Sequence, residues 1–417
     1  MDDSLTSYDF ATPPLIRFGP GRIAELGEVI SLWGKRAWIV GGGRSLDASG
    51  ARERINSSLT AAGIESRTIA SSAGEPTVDQ VAAALAGLPD KDRDGVVLVA
   101  VGGGATIDLA KAIAALATNT PSDLEVGGHS AVAFDSLVVD HLEGVGRGLT
   151  LRHWPLPLVA VPTTDGTGAE ATRNAVISCP RRRFKKSMRS PMMVPRAAIV
   201  DPDLTASCPR ETIAAAGLDC ITQLIESFIC RFRKPLPRAI VLESLPRAIA
   251  SLPRLLASEP ASGLFSVESD SRAADRAALS HAALCSGIVL TNSGLGLAHG
   301  VAAALGIACG APHGLACAVM LPTVLNVNRV AAQADFAALE RAIDSDAPRS
   351  AAAAAAAFVV RIECLCHEAG VPQRLSALGV TADQIDWLAE NSGGTSMRGN
   401  PVQLTTTELR DLLSSIL

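Results

Sequence analysis

The stretch DGVVLVAVGGG at 94–104 most constrains how this chain can fold. Its apolar residues run without a polar alternation, so a strand made of them must be covered on both faces. Three glycines end the run, and TIDLAKAIAALAT follows with the composition of a helix. LPLVAVPTT at 156–164 repeats the design, and KRAWIV (35–40) and SRTIAS (66–71) are further strand candidates. VDQVAAALAGL supplies another alanine-rich helix between them. Continuous apolar strands alternating with helices predict a parallel sheet with helices on both faces. Such sheets bind ligands where turns leave the carboxyl ends of the strands, which is where the glycines fall.

Past about Asp201 strand signals become rare. ETIAAAGLDCITQLIESFICRF, PRAIVLESLPRAIASLPRLL, DRAALSHAALCSGIVLTN, AAAAAAAFVVRIECLCHEAG and TTELRDLLSSIL all read as helices. The expected fold is an α/β N-terminal Rossmann-like parallel-sheet domain over 1–203, followed by an all-α helical domain over 204–417. The joint is DPDLTASCPRE (201–211), with Pro209 opening the next helix. Residues 126–153 form a long connection between the helix after the second glycine turn and the next strand, read as a surface excursion with a small hairpin or as a cover over a bound cofactor.

Composition excludes several classes. With 48% hydrophobic and 19% charged residues over 417 positions, the chain is suited to two packed cores and not to disorder. A net charge of −5 with 3% aromatic residues gives neither the basic field nor the stacking surface for nucleic acid or an anionic membrane. MDDSLTSYDF lacks the apolar core of a signal peptide, and no uncharged apolar run reaches membrane-spanning length. Nine cysteines without a C-x-x-C pair suit a reducing compartment, so the expected location is the cytoplasm. Cys364, Cys366 and His367 read as ordinary helix, since no second ligand pair accompanies them.

The chemistry concentrates elsewhere. GLGLAHGVAAALGIACGAPHG at 294–314 sets His299 and His313 fourteen residues apart, and AAAGLDCITQLIESF places Asp219 and Gln223 four apart on one helix face. One carboxylate with two imidazoles suits a catalytic Zn²⁺ or Fe²⁺. GGGATID at 102–108 ends a strand and opens a helix, which suits a pyrophosphate, and Asp108 in the first turn is placed to cap.

FGPGRIAEL, AWIVGGGRSL, GGGATIDLAKAIA, PLPLVAVPTTDGTGAEAT, VPRAAIVDPDLT, GLDCITQLIES, LAHGVAAALG with APHG, and MRGNPVQLT follow one another in this order. Together they resemble the iron-containing (group III) alcohol dehydrogenases along nearly the whole chain. The resemblance implies the fold those enzymes share with dehydroquinate synthase and a homodimer. It implies hydride transfer between a nicotinamide and a small alcohol or carbonyl substrate. Gly103, Gly104 and Ala105 would hold the pyrophosphate, and Thr163, Thr164, Thr167 and Asn174 the rest of the cofactor, with Lys185 near the nicotinamide ribose. Arg181 to Arg183 and Lys186 are read as a solvated hairpin. NAD-specific members carry an aspartate where this chain has Gly42; with Arg44 and Ser45 beside it, the turn favours NADP over NAD.

Two positions depart from the family pattern. Gln223 stands where a metal-binding histidine is usual, which implies weaker binding of the ion, tightened by Gln223→His. Ala303 stands where several alcohol-oxidising relatives have another histidine. Related readings are a metal-independent reductase of the maleylacetate reductase type, a glycerol-type polyol dehydrogenase with three zinc ligands, a lyase like dehydroquinate synthase, and a non-catalytic nucleotide-binding protein.

Overall fold

A computed structural model of the protein describes residues 7–42, 50–72, 74–88, 93–121, 131–257 and 272–417. Its six-stranded sheet is β1 (Leu15–Phe18), β2 (Arg36–Gly42), β3 (Glu65–Ser72), β4 (Val96–Gly102), β5 (Leu158–Pro162) and β8 (Ala197–Val200). The strand order is β1-β8-β5-β4-β2-β3, and every neighbouring pair is parallel. The remaining strands, β6 (Asn174–Cys179) and β7 (Phe184–Arg189), make a separate antiparallel hairpin.

Strand β4 shows why the sheet needs two covers. Val96, Leu98 and Ala100 enter one core, while Val97, Val99 and Val101 enter the other. Helices α1 (Leu26–Ile30) and α2 (Ala51–Ala61) cover the second face. Helices α3 (Val78–Ala86), α4 (Gly104–Ala117) and α5 (Ala131–Asp140) cover the first. Thr77 starts α3 with a reciprocal capping box to Gln80, satisfying two donors that a bare helix end leaves open.

Helix α5 corrects the expectation for the 126–153 connection, of which 126–130 lie outside the described residues. From Ala131 the segment is a helix, because Phe134, Leu137, Val138 and Leu142 recur at helical spacing and bury against the α3–α4 core. Over Ala131–Asp140 it is a helix and not a hairpin. Strand β1, at one edge of the sheet, and β8 beside it are each only four residues long.

All strands among the described residues end by Val200, and long helices begin at Arg210. They are α6 (Arg210–Ile229), α7 (Pro235–Ala257), α8 (Ala273–Ser293), α9 (Leu297–Cys309), α10 (His313–Asn328), α11 (Gln333–Ile343) and α12 (Ala351–Glu368). Three short helices, α13 (Ile385–Asn391), α14 (Gly394–Gly399) and α15 (Thr406–Ser415), close the chain. Helix α6 is apolar and long enough to cross a bilayer, yet 78% of that window is buried within the protein. Ala198 and Val200 of β8 pack with Leu284 and Ile288 of α8, joining sheet to helices. In α12, Cys364 is exposed and Cys366 buried, as in an ordinary helix.

Candidate active site

Three helices converge on one small polar centre. Helix α6 carries Asp219 and, two turns later, Glu226, both buried. Both Glu226 oxygens are committed at the start of α9, accepting the N–H groups of Gly296 at 2.9 Å and Ala298 at 2.6 Å. The same carboxylate meets His299 Nδ1 at 2.7 Å. That contact makes Nδ1 the donor and leaves the lone pair on Nε2, the orientation a metal-binding imidazole needs. Nε2 lies 3.3 Å from Asp219 Oδ1.

His313 opens α10, and its helix end approaches α6 very closely. A Cβ on Gly314 would fall 2.3 Å from the Ala215 carbonyl oxygen, so only glycine brings His313 this near. His313 Nε2 stands 3.9 Å from Asp219 Oδ1. One turn along, Cys317 places Sγ 3.9 Å from the same nitrogen. Donor atoms of Asp219, His299, His313 and Cys317 all lie within 4.8 Å of one another.

Two of these atoms, Asp219 Oδ1 and His299 Nε2, are buried without a hydrogen-bond partner, since their mutual approach misses hydrogen-bond geometry. Buried polar atoms are nearly always partnered, and exceptions facing one another mark a site for a cation. Burial pushes the Asp219 carboxyl up, but the two imidazoles outweigh it and hold its pKa below the ordinary value. For half-buried His313, desolvation outweighs the Asp219 charge and lowers its pKa to about 4.

Gln223 lies on the expected face of α6, but its amide is committed elsewhere. Nε2 donates to Asp219 Oδ2 at 3.0 Å, and Oε1 accepts from Ser286 Oγ at 3.0 Å. In this arrangement the amide fixes the far side of Asp219 by a hydrogen bond. Ser286 Oγ also reaches the Gly166 carbonyl at 3.4 Å, tying this cluster to the threonine loop of the sheet.

That loop faces the glycine turn. A Cβ on Gly104 would fall 2.4 Å from Thr167 Oγ1, and one on Gly103 would fall 3.3 Å from Thr164 Oγ1. Gly103 starts α4 without a side-chain cap, so the helix end beside Ala105 presents backbone amides to an anion. Thr163 lies at the end of β5 and donates its N–H to Gly102. Asp108 does not cap α4 as expected. It is half-buried, accepts the N–H of Val176 at 2.9 Å, and desolvation raises its pKa to about 6. Lys111, one turn later, donates to Ala169 O, Thr172 Oγ1 and Asn174 O, anchoring the loop and the start of β6.

Lys185 projects from β7 and pairs with Glu75, which also accepts from Ser178 Oγ at 3.1 Å. Its Nζ lies 3.9 Å from where a Gly306 side chain would begin, so the hairpin reaches α9. The turn at 180–183 exposes Arg181 and Arg182 as expected of a solvated charge run. Arg183, with a φ of 51°, instead lays its guanidinium 4.9 Å from the Trp387 ring. Gly42 ends β2; Arg44 and Ser45 lie outside the described residues.

Cys317, Glu226 and Glu75 were not singled out from sequence. The spacing of Cys317 four residues after His313, and of Glu226 seven after Asp219, carried the signal for the first two.

Residues 13–202 match the iron-containing alcohol dehydrogenase family model, and 213–417 match the Fe-containing alcohol dehydrogenase family, C-terminal. The chain belongs to the iron-containing alcohol dehydrogenase family. It is 29% identical to a probable alcohol dehydrogenase, EutG, of Escherichia coli (strain K12), over 94% of this chain and 90% of that protein. It is 26% identical to an NAD-dependent methanol dehydrogenase of Bacillus methanolicus, over 98% of this chain and 100% of that protein. A solved 1,3-propanediol oxidoreductase superposes with a TM-score of 0.84 at 27% identity, covering 99% of this chain and 100% of its own. The chain is thus an alcohol oxidoreductase of this family.

Proposed function

We propose that this family member transfers hydride between NAD(P) and a small alcohol, aldehyde or ketone, with a divalent ion held by Asp219, His299 and His313. The observation that carries the reading is the pair of buried, unpartnered donor atoms, Asp219 Oδ1 and His299 Nε2, facing the His313 ring. One carboxylate and two imidazoles suit Zn²⁺ or Fe²⁺, and when bound the ion would polarise the substrate oxygen as a Lewis acid.

The chain's own residues set up the rest. Glu226 fixes the His299 tautomer, and Gln223 holds Asp219 Oδ2 so that Oδ1 faces the centre. The α4 terminus at Gly103, Gly104 and Ala105 attracts the pyrophosphate, and Thr163, Thr164, Thr167 and Asn174 orient the nicotinamide half. A nicotinamide held there would supply hydride chemistry, taking the hydrogen and electron pair of a carbinol carbon in alcohol oxidation while the hydroxyl proton is lost to solvent. Lys185, neutralised by Glu75, positions the ribose side of the cofactor. Gly42 offers no carboxylate to repel a 2′-phosphate, which favours NADP over NAD.

The test is a panel of short-chain alcohols, aldehydes and ketones with NAD(H) and NADP(H), after loading with Zn²⁺ or Fe²⁺ or after chelation, followed by nicotinamide absorbance. Turnover abolished by chelation supports the reading. Turnover insensitive to chelation points to the metal-independent reductase instead, and absence of turnover with every combination overturns the activity.

A further inference from the structure

We propose that Cys317 supplies a fourth ligand to this centre as a thiolate, taking the place left when Gln223 turns to serve Asp219. The inference rests on the metal reading above and goes beyond its three ligands. Cys317 is fully buried and sits on the same helix face as His313, one turn away. Its Sγ lies 3.9 Å from His313 Nε2 and within 4.8 Å of the Asp219 and His299 donor atoms. Bonds of about 2.0–2.1 Å to nitrogen or oxygen and about 2.3 Å to sulfur give tetrahedral edges of roughly 3.3–3.6 Å. The 3.3 Å His299–Asp219 edge already meets that range, and the two 3.9 Å edges need a contraction of a few tenths of an ångström.

Gln223 cannot fill the same corner while both ends of its amide are hydrogen-bonded to Asp219 and Ser286. It acts on the ion through Asp219, as a positioning residue. Binding proceeds with loss of the thiol proton to solvent, so the cysteine contributes a negative charge that the amide does not. With a fourth protein ligand in place, a substrate oxygen would enter by expansion to five-coordination, a geometry catalytic zinc sites reach in the transition state. A thiolate also makes the site softer and favours Zn²⁺ over Fe²⁺.

Cobalt substitution reads sulfur ligation directly. Wild type, Cys317→Ser and Cys285→Ser are loaded with Co²⁺ after chelation, with folding checked by circular dichroism. Cys285 is the control because Glu243, His281 and Cys285 form the other thiol-containing cluster among the described residues. The expected result is a near-ultraviolet thiolate-to-cobalt band in wild type and Cys285→Ser. Cys317→Ser should lose that band, keep the visible cobalt bands and bind on the order of tenfold or more weaker. Visible cobalt bands without the charge-transfer band in wild type overturn the thiolate while leaving the three-ligand reading intact. Failure of folded wild type to bind cobalt overturns both. If Cys317→Ser does not fold, cadmium NMR of wild type decides: a resonance shifted downfield by one sulfur supports the proposal, and one in the nitrogen–oxygen range overturns it.

Discussion

The two halves of the active site are built from different materials. Around Gly103, Gly104 and the threonine loop, the cradle is backbone and hydroxyl, and its shape depends on the absence of side chains. Around Asp219 the centre is made of charged and imidazole groups from three helices, two of them oriented by a second group: Gln223 for Asp219 and Glu226 for His299. A cradle of amides at a helix end exists as soon as the strand and helix form. A cluster of unpartnered donors costs folding energy until a cation satisfies it, so its residues must be held in place by others. Lesions in the two regions should therefore fail differently: sterically and locally in one, electrostatically and through the ion in the other.

The harshest way to break the comparison is Asp219→Ala. Removing the one carboxylate shared by both histidines should abolish metal retention and lower kcat/KM by about three orders of magnitude, given several kcal/mol of Lewis-acid stabilisation. NAD(P)H binding, read by nicotinamide fluorescence, should stay within about twofold for sites acting independently. Cofactor affinity falling in step with metal content would show that the two regions act as one.

Gly104→Ala makes the reciprocal lesion. The new methyl meets Thr167 Oγ1 at 2.4 Å and Cγ2 at 2.7 Å, so the loop must move. Overpacking of this kind costs about 1–3 kcal/mol, which corresponds to cofactor binding weaker by roughly tenfold to a hundredfold. Metal content by elemental analysis should be unchanged.

Gln223→Ala probes the link between the regions. It removes the hydrogen bond to Asp219 and the partner of Ser286, whose hydroxyl also reaches the Gly166 carbonyl. Loss of such an outer contact should weaken metal binding by about ten- to a hundredfold, measured by competition with a chromophoric chelator. Affinity equal to wild type would mean that Asp219 holds its orientation unaided, and that Gln223 has no positioning role.

The smallest expected effect is at the hairpin. Arg183→Ala removes the contact with Trp387, worth about 0.5–1 kcal/mol at an exposed site. The midpoint of thermal unfolding should drop by a few degrees at most, with metal and cofactor binding intact. A larger loss of cofactor affinity would make the hairpin part of the cradle.

Much of this was legible in one dimension because it depends on neighbours in sequence. An unbroken β-branched run such as Val96–Val101 reads as a strand covered twice, and a glycine triplet before an alanine-rich stretch reads as a strand-to-helix turn. The family blocks carried Asp219, His299 and His313 into one site because their order along the chain is itself the pattern. What required the fold was which way side chains turn once helices meet. Ala131–Asp140 of the 126–153 connection became a helix because its apolar face found the α3–α4 core, and Asp108 left the helix end for the Val176 amide. Gln223 and Cys317 show it most plainly. Spacing put Gln223 on the ligand face of α6, but Ser286 of α8, sixty-three residues away, draws its amide aside. Cys317 reads as a small apolar residue until α10 is pressed against α6 through Gly314 and its sulfur joins the other donors. Periodicity fixes the face on which a side chain stands; only the packing of distant helices decides what it touches.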